Sequence, residues 1–248
     1  MCMPLALSSL FIGFIIGAGG VGGVLLIPVL MLFGGLSTHQ AMATALFSFF
    51  FTGIIATCIY QRYGSIQWKT TVPVLAGSLA SSYAGASVNA RLSSAALSLL
   101  LAGIIILSSL YSLCPAKGAR LADRLGARGN FLLLFGIGLF TGFLCGMTGA
   151  GGGIVSTPVM LLFGYAVLPC IGTAQVLQSF VSGTGSISNY NNGFIVFHLV
   201  WWVTVCELAG VALGVRVAHS LPLDRLKKYV TWFCFVIGLL IAARSVLE

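Results

Sequence analysis

Acidic residues are nearly absent: 248 residues contain four, Asp123, Glu207, Asp224 and Glu248, beside twelve lysines and arginines. Charged residues make up 6% of the chain, where a soluble domain carries roughly a quarter. Such a chain cannot cover a water-facing surface. No polar stretch exceeds Cys114–Asn130, which excludes a separate soluble domain. Clustered bases on a soluble face are also missing, so nucleic acid is not an expected partner. The seven cysteines are spread singly, with no CxxC pair and no ligand spacing with His39, His198 or His219. There is no HExxH, no pair of intramembrane aspartates and no GxSG; Gly183-Thr184-Gly185-Ser186 only superficially resembles the last. An enzyme is therefore not expected, nor a cofactor or metal. Pro4 to Ile16 lacks the basic flank of a signal peptide and reads as part of the fold.

What remains is apolar. Hydrophobic residues reach 58% and run in segments near 20 residues, too long and too continuous for alternating barrel strands. The chain reads as an all-α integral membrane protein with about eight hydrophobic segments. They fall near 4–33, 41–60, 72–90 and 94–113, then near 131–163, 172–190, 196–216 and 229–247. The two series align at an offset of 129–130, matching Pro28 to Pro158, Thr44 to Thr173, Gly64 to Gly193 and Gly85 to Gly214. This predicts a duplication: a first membrane repeat over 1–113, a basic cytoplasmic linker over 114–130 and a second membrane repeat over 131–248.

Each lead segment is interrupted by glycines, Gly17-Ala18-Gly19-Gly20-Val21-Gly22-Gly23 in one half and the run from Gly146 to Gly153 in the other. The pieces on either side are about 14 residues, about 20 Å as helix, short of a hydrocarbon core of roughly 30 Å. Either each lead segment is one long broken span, or it is a re-entrant hairpin. Loop charge separates the two, because lysine and arginine gather on the cytoplasmic side. With one crossing per lead segment the bases split seven to five. With a hairpin, ten lie on one side and only Arg91 and Arg244 on the other. The hairpin then leaves three transmembrane helices per half and turns the second half upside down, an inverted repeat.

Backbone without helix at mid-membrane must line a cavity or be buried in protein, and the half-helix after each glycine run offers N–H groups and a positive dipole end to an anion. Gly19, Gly20, Gly22 and Gly23, with Gly149, Gly151, Gly152 and Gly153, are thus candidate substrate-binding positions, against the alternative that small residues allow close helix packing. Pro28 and Pro158 are expected to kink or loosen those half-helices. Thr44 and Ser48 share one helix face, and Thr173, Gln175, Gln178 and Ser179 cluster in the other half. Thr44, Ser48, Thr173 and Gln175 are candidate anion contacts, because hydroxyls and amides donate without the cost of a buried charge. Their alternative use is bonding between helices. Glu207, the only acid inside a hydrophobic span, is a candidate for proton coupling or for a structural role. Cys145 is the one cysteine placed beside a glycine break. Asn189, Asn191 and Asn192 are expected at a turn before Gly193, and Arg91 is expected to reach toward headgroups.

The paired signature, Gly19-Gly20-Val21-Gly22-Gly23 to Pro28 and Gly149-Ala150-Gly151-Gly152-Gly153 to Pro158, is followed each time by an Ala/Gly-Thr helix start, a Tyr/Asn-Gly turn and a glycine-rich third helix. Over nearly the whole chain this resembles the sulfite exporter TauE/SafE family, also called the 4-toluene sulfonate uptake permease family. The resemblance implies a multi-pass transporter of the bacterial inner (plasma) membrane for sulfite, sulfonates, sulfoacetate or related organic acids. Export by alternating access is the expected activity; an anion channel, an intramembrane enzyme and a scaffold are the competing readings. The family often has Thr-Ser where this chain has Thr44-Ala45 and Thr173-Ala174, so each copy lacks one hydroxyl. Expected partners are the small anionic substrate and membrane lipid, with homodimerisation left open.

Overall fold

A computed structural model describes residues 2–20, 22–89, 91–93, 126–149 and 151–220, with isolated positions between 96 and 110 and between 232 and 243. The expected linker up to residue 125, most of the fourth segment of each half, and Asp123, Asp224 and Glu248 lie outside the described residues. Among the described residues there are eight α-helices and no strand. They are α1 (Cys2–Gly19), α2 (Leu26–Gly34), α3 (Thr38–Arg62), α4 (Trp68–Asn89), α5 (Ala127–Thr148), α6 (Gly153–Leu162), α7 (Val167–Asn191) and α8 (Phe197–Ser220), with a single 3-10 turn at Gly23–Leu25 leading into α2.

Three of these helices, α3, α5 and α8, are long and apolar enough to cross a membrane. Although α4 and α7 have 22 and 25 residues, they carry more Ser, Thr and Gly. Their polar side chains, among them Thr71, Ser78, Ser82, Thr173 and Gln175, are buried. Large apolar side chains such as Phe11, Phe140, Trp202 and Leu213 stay exposed, as a lipid-facing surface requires.

Local signals explain several boundaries. Ser37 starts α3 through a capping box: the Gln40 N–H donates to Ser37 Oγ, and the Ser37 N–H donates to Gln40 Oε1. The turns expected at Gly64 and Gly193 are present and closely alike. Gly64 N donates to Gln61 O and Ser65 N to Tyr60 O; Gly193 N donates to Tyr190 O and Phe194 N to Asn189 O.

The lead segments divide unequally, not into pieces of about 14 residues. α1 has 18 residues and α2 has 9; α5 has 22 and α6 has 10. Helix continues through Gly13 and Gly17 because they are packing glycines held against α8, and it stops at Gly20, whose φ of 66° is left-handed. Gly149 ends α5 in the same way, with φ 67°. Each closes with one N–H bond back to the helix: Gly20 N to Ile16 O at 2.9 Å, and Gly149 N to Cys145 O at 2.8 Å. Pro28 does not kink α2. It lies in the first turn, where its missing N–H has no intrahelical acceptor to lose.

After each break the chain doubles back. Gly34, at the end of α2, lies against Leu199 in the first turn of α8, and Tyr165, just beyond α6, hydrogen-bonds Asn130 in the first turn of α5.

Packing exchanges helices between the halves: α1 lies along α8, and α5 lies along α4. Glycines let both pairs touch backbone to backbone. Gly13 and Gly17 meet Glu207 and Val211, and Gly210 and Gly214 meet Leu10 and Phe14. In the other seam Gly138, Gly142 and Gly146 meet Val74, Ser78 and Ser82. The pairs advance together, so α1 and α8 are parallel, as are α5 and α4. Thr71 pairs with Thr173 at 2.8 Å and Ser82 with Thr184 at 2.5 Å, making α4 and α7 parallel. By contrast α3 and α7 cross in opposite directions, Gly53 lying on Ser179 and Gly185 on Leu46. Arg62, Lys69, Arg128 and Arg216 sit near helix ends at one face of the bundle, and Arg91 follows α4 at the other.

Candidate functional site

The two glycine turns meet. A Cβ on Gly153 would fall inside the carbonyl oxygen of Gly20, so the first residue of α6 touches the end of α1 directly. α7 supplies the seat for this crossing: Gly20 rests on Ile171 and Ala174, and Gly152 on Leu177 and the Gln178 backbone. In the reciprocal contact, Gly149 rests on Met42 of α3. Each hairpin is thereby wedged against the second long helix of the other half. The Phe49 ring lies between the runs, 2.9 Å from where a Gly23 Cβ would stand and 3.5 Å from that of Gly151. Gly19 differs from all of these. It is partly exposed, and nothing comes within 4 Å of its Cβ position.

Polar groups hold the tips. Gln175 Nε2 donates to Ile16 O at 2.9 Å, and Tyr60 OH donates to Gly17 O at 2.9 Å. The Gln175 Oε1 is buried without a hydrogen-bond partner. Gln178 Nε2 donates to Thr52 Oγ1 at 3.1 Å, joining α7 to α3 beside Gly151. In the second hairpin the Cys145 thiol donates to Gly151 O at 2.8 Å and clips its own turn.

The expected hydroxyls go elsewhere. Thr44 Oγ1 accepts from Val196 N at 3.2 Å, ahead of α8, and Thr173 bonds Thr71 in the first turn of α4. Each threonine thus ties the second long helix of its half to the start of the third in the other half. Ser48 donates to Glu207 Oε2 and accepts from Thr204 Oγ1 at 3.1 Å. Glu207 is fully buried and its Oε1 has no partner. The structure therefore gathers Gly20, Gly22, Gly23, Gly149, Gly151, Gly152, Gly153 and Gln175 at the crossing. Thr44, Thr173 and the Ser48–Glu207 pair lie beside it, bonded to neighbouring helices.

Sequence reasoning missed Phe49 and Tyr60. Phe49 carries no signal among seventeen phenylalanines. Tyr60 closes the segment read as 41–60, and its hydroxyl reaches into the bundle to a helix-end carbonyl, the usual need of a buried tyrosine.

Short helices that meet at their broken ends inside a bundle of apolar helices have the architecture of a membrane transport protein. Residues 5–244 match the family described as Sulfite exporter TauE/SafE, and the chain belongs to that family. It is similar to the "Probable membrane transporter protein YunE" of Bacillus subtilis (strain 168), 26% identical with 96% of this chain and 93% of the relative covered. It is also similar to the "Probable membrane transporter protein MJ0441" of Methanocaldococcus jannaschii, 26% identical over 93% and 92%. A third relative, "Probable membrane transporter protein YdhB" of Bacillus subtilis (strain 168), is 25% identical over 95% and 96%. No solved structure matches this chain.

Proposed function

We propose that this protein is a secondary transporter that moves a small anion across a bacterial inner membrane, exporting sulfite, a sulfonate, sulfoacetate or a related organic acid by alternating access. The observation that carries the reading is the crossing of Gly20 and Gly153, which sets the C-terminal break of α1 against the first residue of α6 in the protein interior. The first N–H groups of a helix have no intrahelical acceptor and carry its positive dipole end, so the start of α6 at this point, with the Gly23 turn that leads into α2 on the other side of the Phe49 ring, favours an oxyanion. The glycine-run N–H groups would bind it, with Thr44, Ser48, Thr173 and Gln175 on the helices that frame the crossing.

Alternating access needs two halves that can rock against each other, and we read the halves as inverted repeats with re-entrant lead hairpins. Support comes from the registers. With α3 and α7 antiparallel, α1 parallel to α8 and α5 parallel to α4, every described helix of one half runs against its counterpart. The doubling back of α2 onto the start of α8, and of Tyr165 onto Asn130, supports re-entry. Arg62, Lys69, Arg128 and Arg216 at one face favour that face as cytoplasmic.

Flux of sulfite and sulfonates in proteoliposomes tests the proposal. Gly19→Val adds bulk in open space beside the crossing, and is expected to cut flux while leaving thermal unfolding unchanged. Wild-type flux in Gly19→Val and in both Gly22→Val and Gly152→Val would sink the site assignment. Flux that never moves uphill under any imposed ion gradient would identify a channel instead.

A further inference from the structure

Glu207 is the only acid among the described residues, and its surroundings are specific. It sits in α8 where the α1 backbone at Gly13 presses on its own backbone, and its side chain turns toward α3. There the hydroxyls form a directed chain: Thr204 donates to Ser48, and Ser48 donates its single hydrogen to Glu207 Oε2. All three residues are buried, and Glu207 Oε1 is left without a partner. A carboxyl group held this way is unfinished. A bare carboxylate out of water costs several kcal/mol unless neutralised, and only one of its two oxygens is bonded.

The neighbours decide what completes it. A metal cation would need several oxygen lone pairs turned toward it, whereas the Ser48 hydroxyl presents its hydrogen to the carboxyl. Among the described residues no base faces the group. α1 carries no lysine, arginine or histidine. α3 carries His39 and Arg62 at its ends with Cys58 and Tyr60 between. α8 carries His198 at its start, Arg216 and His219 near its end, and Cys206. Tyr60 and His219 pack on each other, with ring centroids 5.2 Å apart, at the far end from His39. The chemistry that suits such a site is a proton.

Resting on the transport reading above, we propose that Glu207, with Ser48 and Thr204, is the site that binds and releases the proton coupled to anion movement. Loading converts the carboxylate to the acid and release reverses it, with no other group consumed. The link to the crossing is short: Ser48 is adjacent in α3 to Phe49, whose ring packs on the Gly23 and Gly151 positions. A rearranged Ser48 hydroxyl therefore lies one residue from the ring that touches both glycine runs.

Two measurements on the full chain separate this proposal from the transport reading. In infrared difference spectra of the purified protein, taken without substrate across the neutral pH range, a protonated-carboxyl band is expected to titrate, to vanish in Glu207→Gln and to shift in Ser48→Ala and Glu207→Asp. In proteoliposomes the probe is methanesulfonate, whose charge is constant over that range. One proton per anion then gives about tenfold accumulation per unit of pH gradient. Glu207→Gln is expected to abolish this accumulation and the accompanying dye-detected proton movement, and Glu207→Asp to restore part of both. Accumulation that survives in Glu207→Gln, drive by sodium alone, or a carboxyl band unchanged by Glu207→Gln would overturn the proposal. If no anion moves in any preparation, the transport reading fails while the infrared titration still decides the role of Glu207.

Discussion

The two close-packed seams, α1 against α8 and α4 against α5, are built alike and used differently. Both bring helices into backbone contact through glycines, where Cα–H groups meet carbonyl oxygens. In the α4–α5 seam, Ser78 Oγ donates across to Gly138 O at 3.0 Å and Ser81 Oγ to Leu139 O at 2.7 Å. The position matching Ser78 in the other seam is Glu207, whose side chain leaves the seam and bonds Ser48 of α3. One copy spends the position on gluing two helices; the other turns it toward a third helix and leaves an oxygen unbonded. The α1–α8 seam therefore closes with its polar position turned away from it.

The strongest way to break the comparison is to fill the seams. Gly210→Leu and Gly138→Leu would each drive a side chain into a carbonyl of the facing helix, Leu10 O or Val74 O. Overpacking of this kind costs about 1–3 kcal/mol or more, and both variants should show the largest loss of thermal stability, by similar amounts. A large loss in one seam only would show that the seams are not equivalent supports. Next in size is Ser48→Ala. It leaves Glu207 with neither oxygen bonded, at a cost of about 1–3 kcal/mol. Ser78→Ala should cost less, about 1 kcal/mol, because Gly138 O loses only an added donor. Equal losses in denaturant unfolding would erase the distinction between the two positions. Tyr60→Phe removes the hydroxyl on Gly17 O and should cost about 0.5–1.5 kcal/mol, measured by the same unfolding. The smallest effect on stability belongs to Gly19→Ala, within about 0.5 kcal/mol, since nothing lies within 4 Å of that position. Its flux should nevertheless fall, which thermal unfolding beside proteoliposome assays will check.

Much of the frame was legible in the sequence because similar signals recur along it. The matched turns at Gly64 and Gly193 and a break within each glycine run follow from residue type and spacing. The unequal limbs were not legible, because Gly17 and Gly20 are the same letter in one run: one allows a helix to approach α8, and the other takes a left-handed turn. Nor could the exchange of helices between halves be read, since periodicity shows that a face is apolar without naming what covers it. The bonds that the Thr44 and Thr173 hydroxyls make were hidden for the same reason. Their partners, Val196 and Thr71, come from the other half of the chain.

That exchange also sets a timetable. α1 emerges from the ribosome before α8, the helix whose glycines receive it, which is made about 190 residues later, on the order of ten to forty seconds at ordinary synthesis rates. During that interval Gly13 and Gly17 face whatever the nascent chain and the insertion machinery provide. The first hairpin must therefore wait in an unfinished state until α8 arrives. Expressed separately, the two halves should be short-lived; expressed together, each should rescue the other.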